Sequence, residues 1–497
     1  MLFNSIQYPI FLLLVVILTF AARKRDYQLK VLLLASYVFY AISGEFFLPL
    51  LVFITALTFY CGIWIFTAQN LLHKRIYLAV SIIGALSILG YFKYFNFVVL
   101  GLDQAMDALN FSLAIQVYNI ALPIGISFYT FHALSYVLDI YQGKMTPIDS
   151  FKEYALFVAF FPHLIAGPIL RARDFLPQLK QKVTFTSENI QIGVTRIGIG
   201  MVKKVVIADN IAYYVNLVYA NPDVPIQNSN SFFIICATIL FGLQIYFDFS
   251  GYTDIAIGSA RIFGYTFPEN FNLPYFSQNP TDFWRRWHMT LSSYIRDYIY
   301  IPLGGNRKGI ARTYLNLIIT FTLCGIWHGA AWNFVLWGTY HGVLLCAHKA
   351  ITTQRHIYDR ITLISKTHFG LITKILITQY FIFMGWILFR VSNLDDIIYC
   401  VNKWIFIDVN SILSGFTKYS DILKLNAVFI GIPLIVIILL SRKHLKSSKI
   451  HSLVVHDPVE YLGRLKLNYW GVYLIVILLM ILCLAPSRSP EFIYFQF

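Results

Sequence analysis

The chain reads as an all-α polytopic integral membrane protein, with about 11–12 apolar segments, re-entrant helices among them, around a central funnel or channel. Three observations predict this. Hydrophobic residues make up 58% of its 497 and charged ones only 13%, whereas a soluble globule has about 45–50% apolar and about 25% charged. Mean hydropathy is +0.65. Several apolar runs approach or exceed the roughly 20 residues a helix needs to cross a bilayer, and they lack the short alternating segments of an outer-membrane barrel.

Taken in order, segments are expected near 6–22, 29–43, 46–66, 76–98, 119–141, 151–170, 187–208, 230–260, 314–347, 371–391, 424–440 and 468–486. The first is an uncleaved span rather than a signal peptide, because Arg23, Lys24 and Arg25 follow its apolar run instead of preceding it. That order puts the N-terminus outside. Lys74 with Arg75, Lys144 with Lys152, the basic residues from Arg285 to Lys308, Lys349 with Arg355, and "SRKHLKSSK" (441–449) take the cytoplasmic side by the positive-inside rule. "GLDQAMDALNFSL" (101–113) has two Asp and no Lys or Arg, and takes the outside. The C-terminus is then also outside.

Two places break the alternation. Residues 151–170 have Lys or Arg on both flanks, which fits a re-entrant or interfacial segment better than a crossing. Between Arg312 and Lys349 lie about 36 uncharged residues, enough at 1.5 Å each for two short helices that go in and return. His328 would lie near their apex, where irregular backbone needs a protein or water-filled surround.

The net charge of +15 is explained by these flanking clusters and does not point to nucleic acid. Six Cys are scattered with no metal or disulfide spacing, so no metal site is expected. No internal repeat appears, and 1–497 is one membrane domain. Its parts are N-terminal spans (1–118), a core (119–347) and C-terminal spans (348–497).

Two stretches concentrate chemistry. "DFWRRWHMTLSSYIRDYIYIPL" (282–303) has interfacial helix spacing and gathers Trp284, Arg285, Arg286, Trp287 and His288. "CGIWHGAAWNFVLWGTYHG" (324–342) holds Cys324, Trp327, His328, Trp332, Asn333, Trp337 and His341. A neutral imidazole, with an unperturbed pKa near 6.5, can take the proton of an attacking hydroxyl. The Trp residues can shape a channel, and Asn333 can donate to a carbonyl or to the ring. A core histidine with its hydrogen bonds satisfied is the plain alternative for His328. Cys324, four residues earlier, shares its helical face; it is either a small core residue or a nucleophile beside an imidazole. His341 lines the same channel or packs the core. Arg285 and Arg286 either bind a phosphate as bidentate forks or only set topology. His132 is an intramembrane ionisable group, with a helix-to-helix hydrogen bond as the plain reading, and Asp248 and Asp254 either neutralise a neighbouring Arg or orient a catalytic imidazole.

"FFPHLIAGPILR" (160–171), "YFDFSGYTDIAIG" (246–258), "NFNLPYFSQNPTDFWRRWHMTLSSYIRDYIYIPLGGNR" (270–307) and the 324–342 stretch resemble the membrane-bound O-acyltransferase family. The likeness is to its bacterial branch acting on alginate, peptidoglycan and teichoic acids. It implies an O-acyltransferase of the bacterial inner membrane that takes an acyl group, chiefly acetyl, from a cytoplasmic thioester donor such as acetyl-CoA. The group passes to an extracytoplasmic polysaccharide through an esterase-like or acyltransferase partner; no resident cofactor is implied. It assigns His328 as the catalytic histidine and His288 as the second key histidine. D-alanyl transfer is the alternative within the family. A secondary transporter or flippase is the alternative outside it, though such proteins show paired repeats that are not found here.

Overall fold

The computed structural model describes residues 1–110, 120–354, 367–418, 458–486, 490 and 492–495. Among these every regular element is helical. Helices α1 (Gln7–Ala21), α2 (Arg25–Gly44), α3 (Leu48–Thr67) and α4 (Leu71–Leu89) fall on the first four expected segments. Pro49 sits in the first turn of α3, where a missing N–H leaves no bond unmade. The Asn70 side chain accepts from Leu72 N at 2.9 Å and starts α4. The fourth segment does not stop near residue 98. It continues through a π-helical turn, Gly90–Tyr94, into α5 (Phe95–Ala108), giving an apolar helical run of 38 residues.

Beyond α6 (Ile126–Tyr141), α7 (Phe151–Ala159) and α8 (Phe161–Leu164) break at Phe160 and give way to irregular chain. Residues 151–170 therefore do not cross as one helix, as their flanking charges predicted. Side chains satisfy this backbone: Ser36 accepts from Phe161 N at 3.1 Å and Thr290 from Ile169 N at 2.9 Å. Irregular chain is tolerated in apolar surroundings only with such cover. After α9 (Ala172–Leu179), α10 (Ser187–Met201) runs through a second π-helical segment, Val202–Ala208, into α11 (Asp209–Tyr219), past the expected end at 208.

The central element is α12 (Ser231–Ile262), 32 residues long. α10 lies against it through glycines: a Cβ on Gly193 would stand 2.7 Å from Gly258 O, and one on Gly200 2.6 Å from Gly251 O. Its carboxylates are paired. Asp254 meets Arg196 at 3.0 Å and Lys203 at 2.6 Å, and Asp248 meets Lys204 at 3.0 Å. Of the two roles open to these Asp residues, charge neutralisation is the one observed, as burial demands.

The short helices α13 (Pro280–Trp284) and α14 (Met289–Ile295) precede an antiparallel hairpin of α15 (Ile310–His328) and α16 (Trp332–Thr353). These are not the two short helices expected: they have 19 and 22 residues, because α15 starts before Arg312 and α16 passes Lys349. At 1.5 Å per residue α15 is about 28 Å long, close to a bilayer core. The described chain ends with α17 (His368–Arg390), α18 (Leu394–Ile405), α19 (Val409–Lys418), α20 (Pro458–Gly463) and α21 (Leu467–Leu484), then the segment to Phe495. The expected span at 424–440 and the cluster at 441–449 lie outside the described residues. Six described helices are long and apolar enough to cross a membrane, or seven if α18 and α19, bent by 87°, form one broken span. The two chain ends lie together, Phe3 and Phe492 packing on Tyr252 at 5.6 and 4.0 Å.

Candidate active site

His328 is the last residue of α15, at the break of the hairpin. Glycine makes this hairpin tight: a Cβ on Gly325 or on Gly338 would stand 3.0 Å from the other's Cα. The last carbonyls of a helix lack intrahelical donors, and here the π-helical turn supplies them. Tyr94 donates its hydroxyl to Ile326 O at 2.8 Å, and Lys93 Nζ donates to Trp327 O at 2.7 Å and His328 O at 2.9 Å.

His328 is 5% exposed. Trp327, Trp337, Phe389 and Tyr494 surround it at centroid distances of 4.9, 5.0, 5.4 and 5.5 Å. It faces a cavity of about 90 Å³ lined also by Lys93, Ile165, Tyr494 and residues 122–128. Its Nδ1 is buried without a hydrogen-bond partner among the described residues.

His288 approaches the same place from the turn before α14, fully buried, in the left-handed backbone region at φ 42° and ψ 54°. A side chain there is strained and is held by its surroundings. Asn270 does the holding. Its Oδ1 accepts from Thr290 N at 3.3 Å and Thr290 Oγ1 at 2.6 Å, and its backbone O accepts from Met289 N at 2.9 Å. Because a backbone N–H can only donate, the atom of Asn270 facing it is the oxygen. His288 Nδ1, 3.2 Å from that oxygen, is therefore the protonated nitrogen, and Nε2 keeps its lone pair. Nε2 is buried with no partner among the described residues. Burial also pushes the His288 pKa down to about 3, which keeps the ring neutral.

The two histidines share neighbours. Trp327 and Tyr494 lie 6.3 and 6.5 Å from the His288 ring, as well as against His328. Trp284, Trp327 and Trp337 leave their buried Nε1–H groups without acceptors among the described residues. Buried indole N–H groups normally find a partner, so this cluster of open donors and acceptors suits a guest bearing oxygens. An aromatic column leads away from it: Phe131 stacks on Trp327 at 5.4 Å and on Tyr294 at 4.6 Å, and Tyr298 follows Tyr294 at 4.6 Å. At its far end Arg171 lies over Tyr298 at 5.4 Å and pairs with Asp297 at 2.6 Å.

The other expected residues divide. Trp284 and His341 pack together at 5.1 Å, and His341 meets Trp337 at 4.8 Å, beside the His328 cluster. Trp287 is buried against Trp386 at 4.9 Å, and Trp386 in turn stacks on Trp337 at 6.2 Å. Cys324 is buried one turn before His328 but does not line the cavity. Asn333 does not reach the imidazole: its Nδ2 donates to Leu388 O and Phe389 O, both at 3.3 Å, and so caps α17 and seats Phe389 against His328. Trp332 is not in the channel. It opens α16 five residues before Trp337, which turns it to the far side of the helix, where it is 63% exposed and packs on Phe97. Arg285 is exposed, and Arg286 pairs with Asp282 at 2.8 Å. His132 packs edge-on against His163 at 4.4 Å and does not line the cavity that His328 faces.

Three residues of the site were not expected. Lys93 carried a signal, since a lone lysine inside an apolar span is a functional candidate by default. Asn270 and Tyr494 carried none: each reaches the histidines only through the tertiary fold. Tyr494 is brought in by a C-terminal segment anchored where Ile493 N donates to Asp248 Oδ2 at 2.9 Å and Lys204 Nζ to Pro490 O at 3.3 Å.

Residues 141–394 match the model of the MBOAT, membrane-bound O-acyltransferase family. The "Probable alginate O-acetylase AlgI" of Azotobacter vinelandii is 41% identical over 373 residues, covering 74% of this chain and 71% of that protein. The "Peptidoglycan O-acetyltransferase" of Helicobacter pylori is 38% identical over 394 residues, 73% and 71% of the two chains. The "Teichoic acid D-alanyltransferase" of Bacillus subtilis is 30% identical over 288 residues, 55% and 69%.

Proposed function

This chain belongs to the membrane-bound O-acyltransferase family and is a multi-pass membrane O-acyltransferase, and we propose that it carries an acetyl group from cytoplasmic acetyl-CoA across the bacterial inner membrane for O-acetylation of an envelope or exported polysaccharide. Family membership displaces the transporter reading. The observation that carries the proposal is the meeting of His328 and His288 at one buried aromatic cluster, beside a cavity and with His328 Nδ1 and His288 Nε2 unengaged among the described residues.

Acyl transfer to a hydroxyl needs a base, a channel for the acyl chain and stabilisation of the oxyanion. His328 takes the acceptor's proton as its oxygen bonds to the thioester carbonyl carbon. His288, whose Nε2 lone pair is held in place through Asn270, is the second acid/base. The donor arrives on the face where the basic residues lie, with Arg285 and Arg286 holding its phosphates. The aromatic column from Tyr298 to Trp327 supports a route from that face to His328. The packing of both chain ends on Tyr252 supports placing them on one side, which the charge pattern puts outside.

An extracytoplasmic acyltransferase or esterase-like partner hands the group to the polymer. Acetyl is favoured over D-alanyl because the relatives named for O-acetylation reach 41% and 38% identity, against 30% for the D-alanyl one. The test is a vesicle reconstitution with acetyl-labelled acetyl-CoA on one face only. Label should reach hydroxyl acceptors on the opposite face as free thiol appears; label confined to the donor face refutes transfer across the membrane.

A further inference from the structure

Lys93 is an ionisable side chain inside an apolar helical run, on a π-helical turn, a distortion often found at functional sites. Two of its three N–H donors go to Trp327 O at 2.7 Å and His328 O at 2.9 Å, the carbonyls at the end of the helix that carries His328. A cation suits a helix C-terminus. Capping alone does not require one, however, because the neighbouring Tyr94 caps Ile326 O with a neutral hydroxyl at 2.8 Å. An ammonium in such surroundings is costly unless a negative partner is supplied. Among the described residues Lys93 has no carboxylate partner, yet it lines the same cavity as His328 and Tyr494.

We propose that the third N–H of Lys93 is an anion subsite that receives the carbonyl oxygen of the acyl group and stabilises the oxyanion formed on it. This rests on the acyl-transfer reading of His328. As the acceptor oxygen bonds to the carbonyl carbon, the acceptor's proton goes to the His328 ring and the carbonyl π pair moves onto oxygen, beside the ammonium. Collapse of that intermediate re-forms the carbonyl and breaks the carbon–sulfur bond, and the departing sulfur takes the proton from His328. No further reactant is needed. The two carbonyl bonds fix the ammonium relative to the imidazole, so acid/base group and oxyanion donor are carried on one helix end.

The experiment compares Lys93→Met, Lys93→Gln and Lys93→Arg with His328→Ala in purified, reconstituted protein, following thiol release from acetyl-CoA and the thermal midpoint. Loss of one oxyanion donor typically lowers kcat by about 10²–10³-fold. Lys93→Met and Lys93→Gln should show such a loss with the apparent KM for acetyl-CoA within about threefold, since the interaction forms in the transition state. Lys93→Arg, which keeps the charge, should exceed Lys93→Gln at least about tenfold in kcat. If Lys93→Met does not fold, the Arg and Gln pair still decides the matter. A Gln variant as active as Arg, or a deficit that lies wholly in KM, overturns the inference and leaves Lys93 as a helix cap. A fully active His328→Ala overturns instead the reading on which it rests.

Discussion

Replacing Asn270 by Leu tests whether His288 works through a fixed tautomer. The substitution keeps a side chain of similar reach but removes the acceptor shared by His288 Nδ1, Thr290 N and Thr290 Oγ1. The hydroxyl of Thr290 can rotate to another acceptor; the ring N–H and the backbone N–H cannot. Two buried donors are left unpaired at about 1–3 kcal/mol each, so the fold should lose about 2–6 kcal/mol. His288 can relieve its share only by moving its proton from Nδ1 to Nε2, which removes the lone pair it presents to the site. Purified variant and parent should therefore differ in two readouts: a lower thermal midpoint, and a kcat for acyl transfer lower by about 10²–10⁴-fold. A variant that is destabilised by this amount but turns over at the parental rate when folded would refute a catalytic role for the Asn270–His288 pair.

Asn270→Asp keeps an acceptor but adds a negative charge. It should raise the His288 pKa from its buried value of about 3, so the imidazole becomes charged at a higher pH and the acid limb of kcat/KM moves upward; an unmoved limb argues against the contact. Tyr494→Phe keeps the ring packing at 5.5 and 6.5 Å but removes the hydroxyl of a residue that lines the cavity. It should insert normally and lose about tenfold in transfer, the worth of about one hydrogen bond, whereas unchanged transfer reduces Tyr494 to packing. The double variant Arg285→Lys, Arg286→Lys keeps charge and topology but loses the guanidinium forks. Its apparent KM for acetyl-CoA should rise more than kcat falls, and an unchanged KM returns both residues to the positive-inside rule.

Much of the helix map was legible because apolar runs and flanking charges act locally. The break at residues 329–331 and the interrupted 151–170 stretch both followed from charge on the wrong sides of an apolar run. Helix lengths were less legible. α15 and α16 extend past Arg312 and Lys349 because a charged residue near a helix end can reach the interface without ending the helix. The π-helical continuations at Gly90–Tyr94 and Val202–Ala208 leave no pattern in spacing. At the candidate site, the structure brings His328, His288, Trp327 and His341 into one aromatic cluster, a proximity the sequence suggested because rare residue types concentrate there. Trp332 was misplaced because proximity in sequence was taken for a shared helix face, and Asn333 because its amide was needed by the carbonyls of another helix. Asn270 and Tyr494 reach the histidines from 18 residues upstream and from the far end of the chain, contacts that only the folded packing reveals.

The most direct test of the central claim is the ester acetate released by mild alkali from the envelope of cells carrying His328→Ala, at matched expression and membrane insertion. With the base removed, transfer should fall by about 10²–10⁴-fold, so released acetate drops to the level of cells lacking the protein. Acetate at the parental level in a correctly inserted His328→Ala protein would contradict His328 as the catalytic base and move the chemistry elsewhere in the chain.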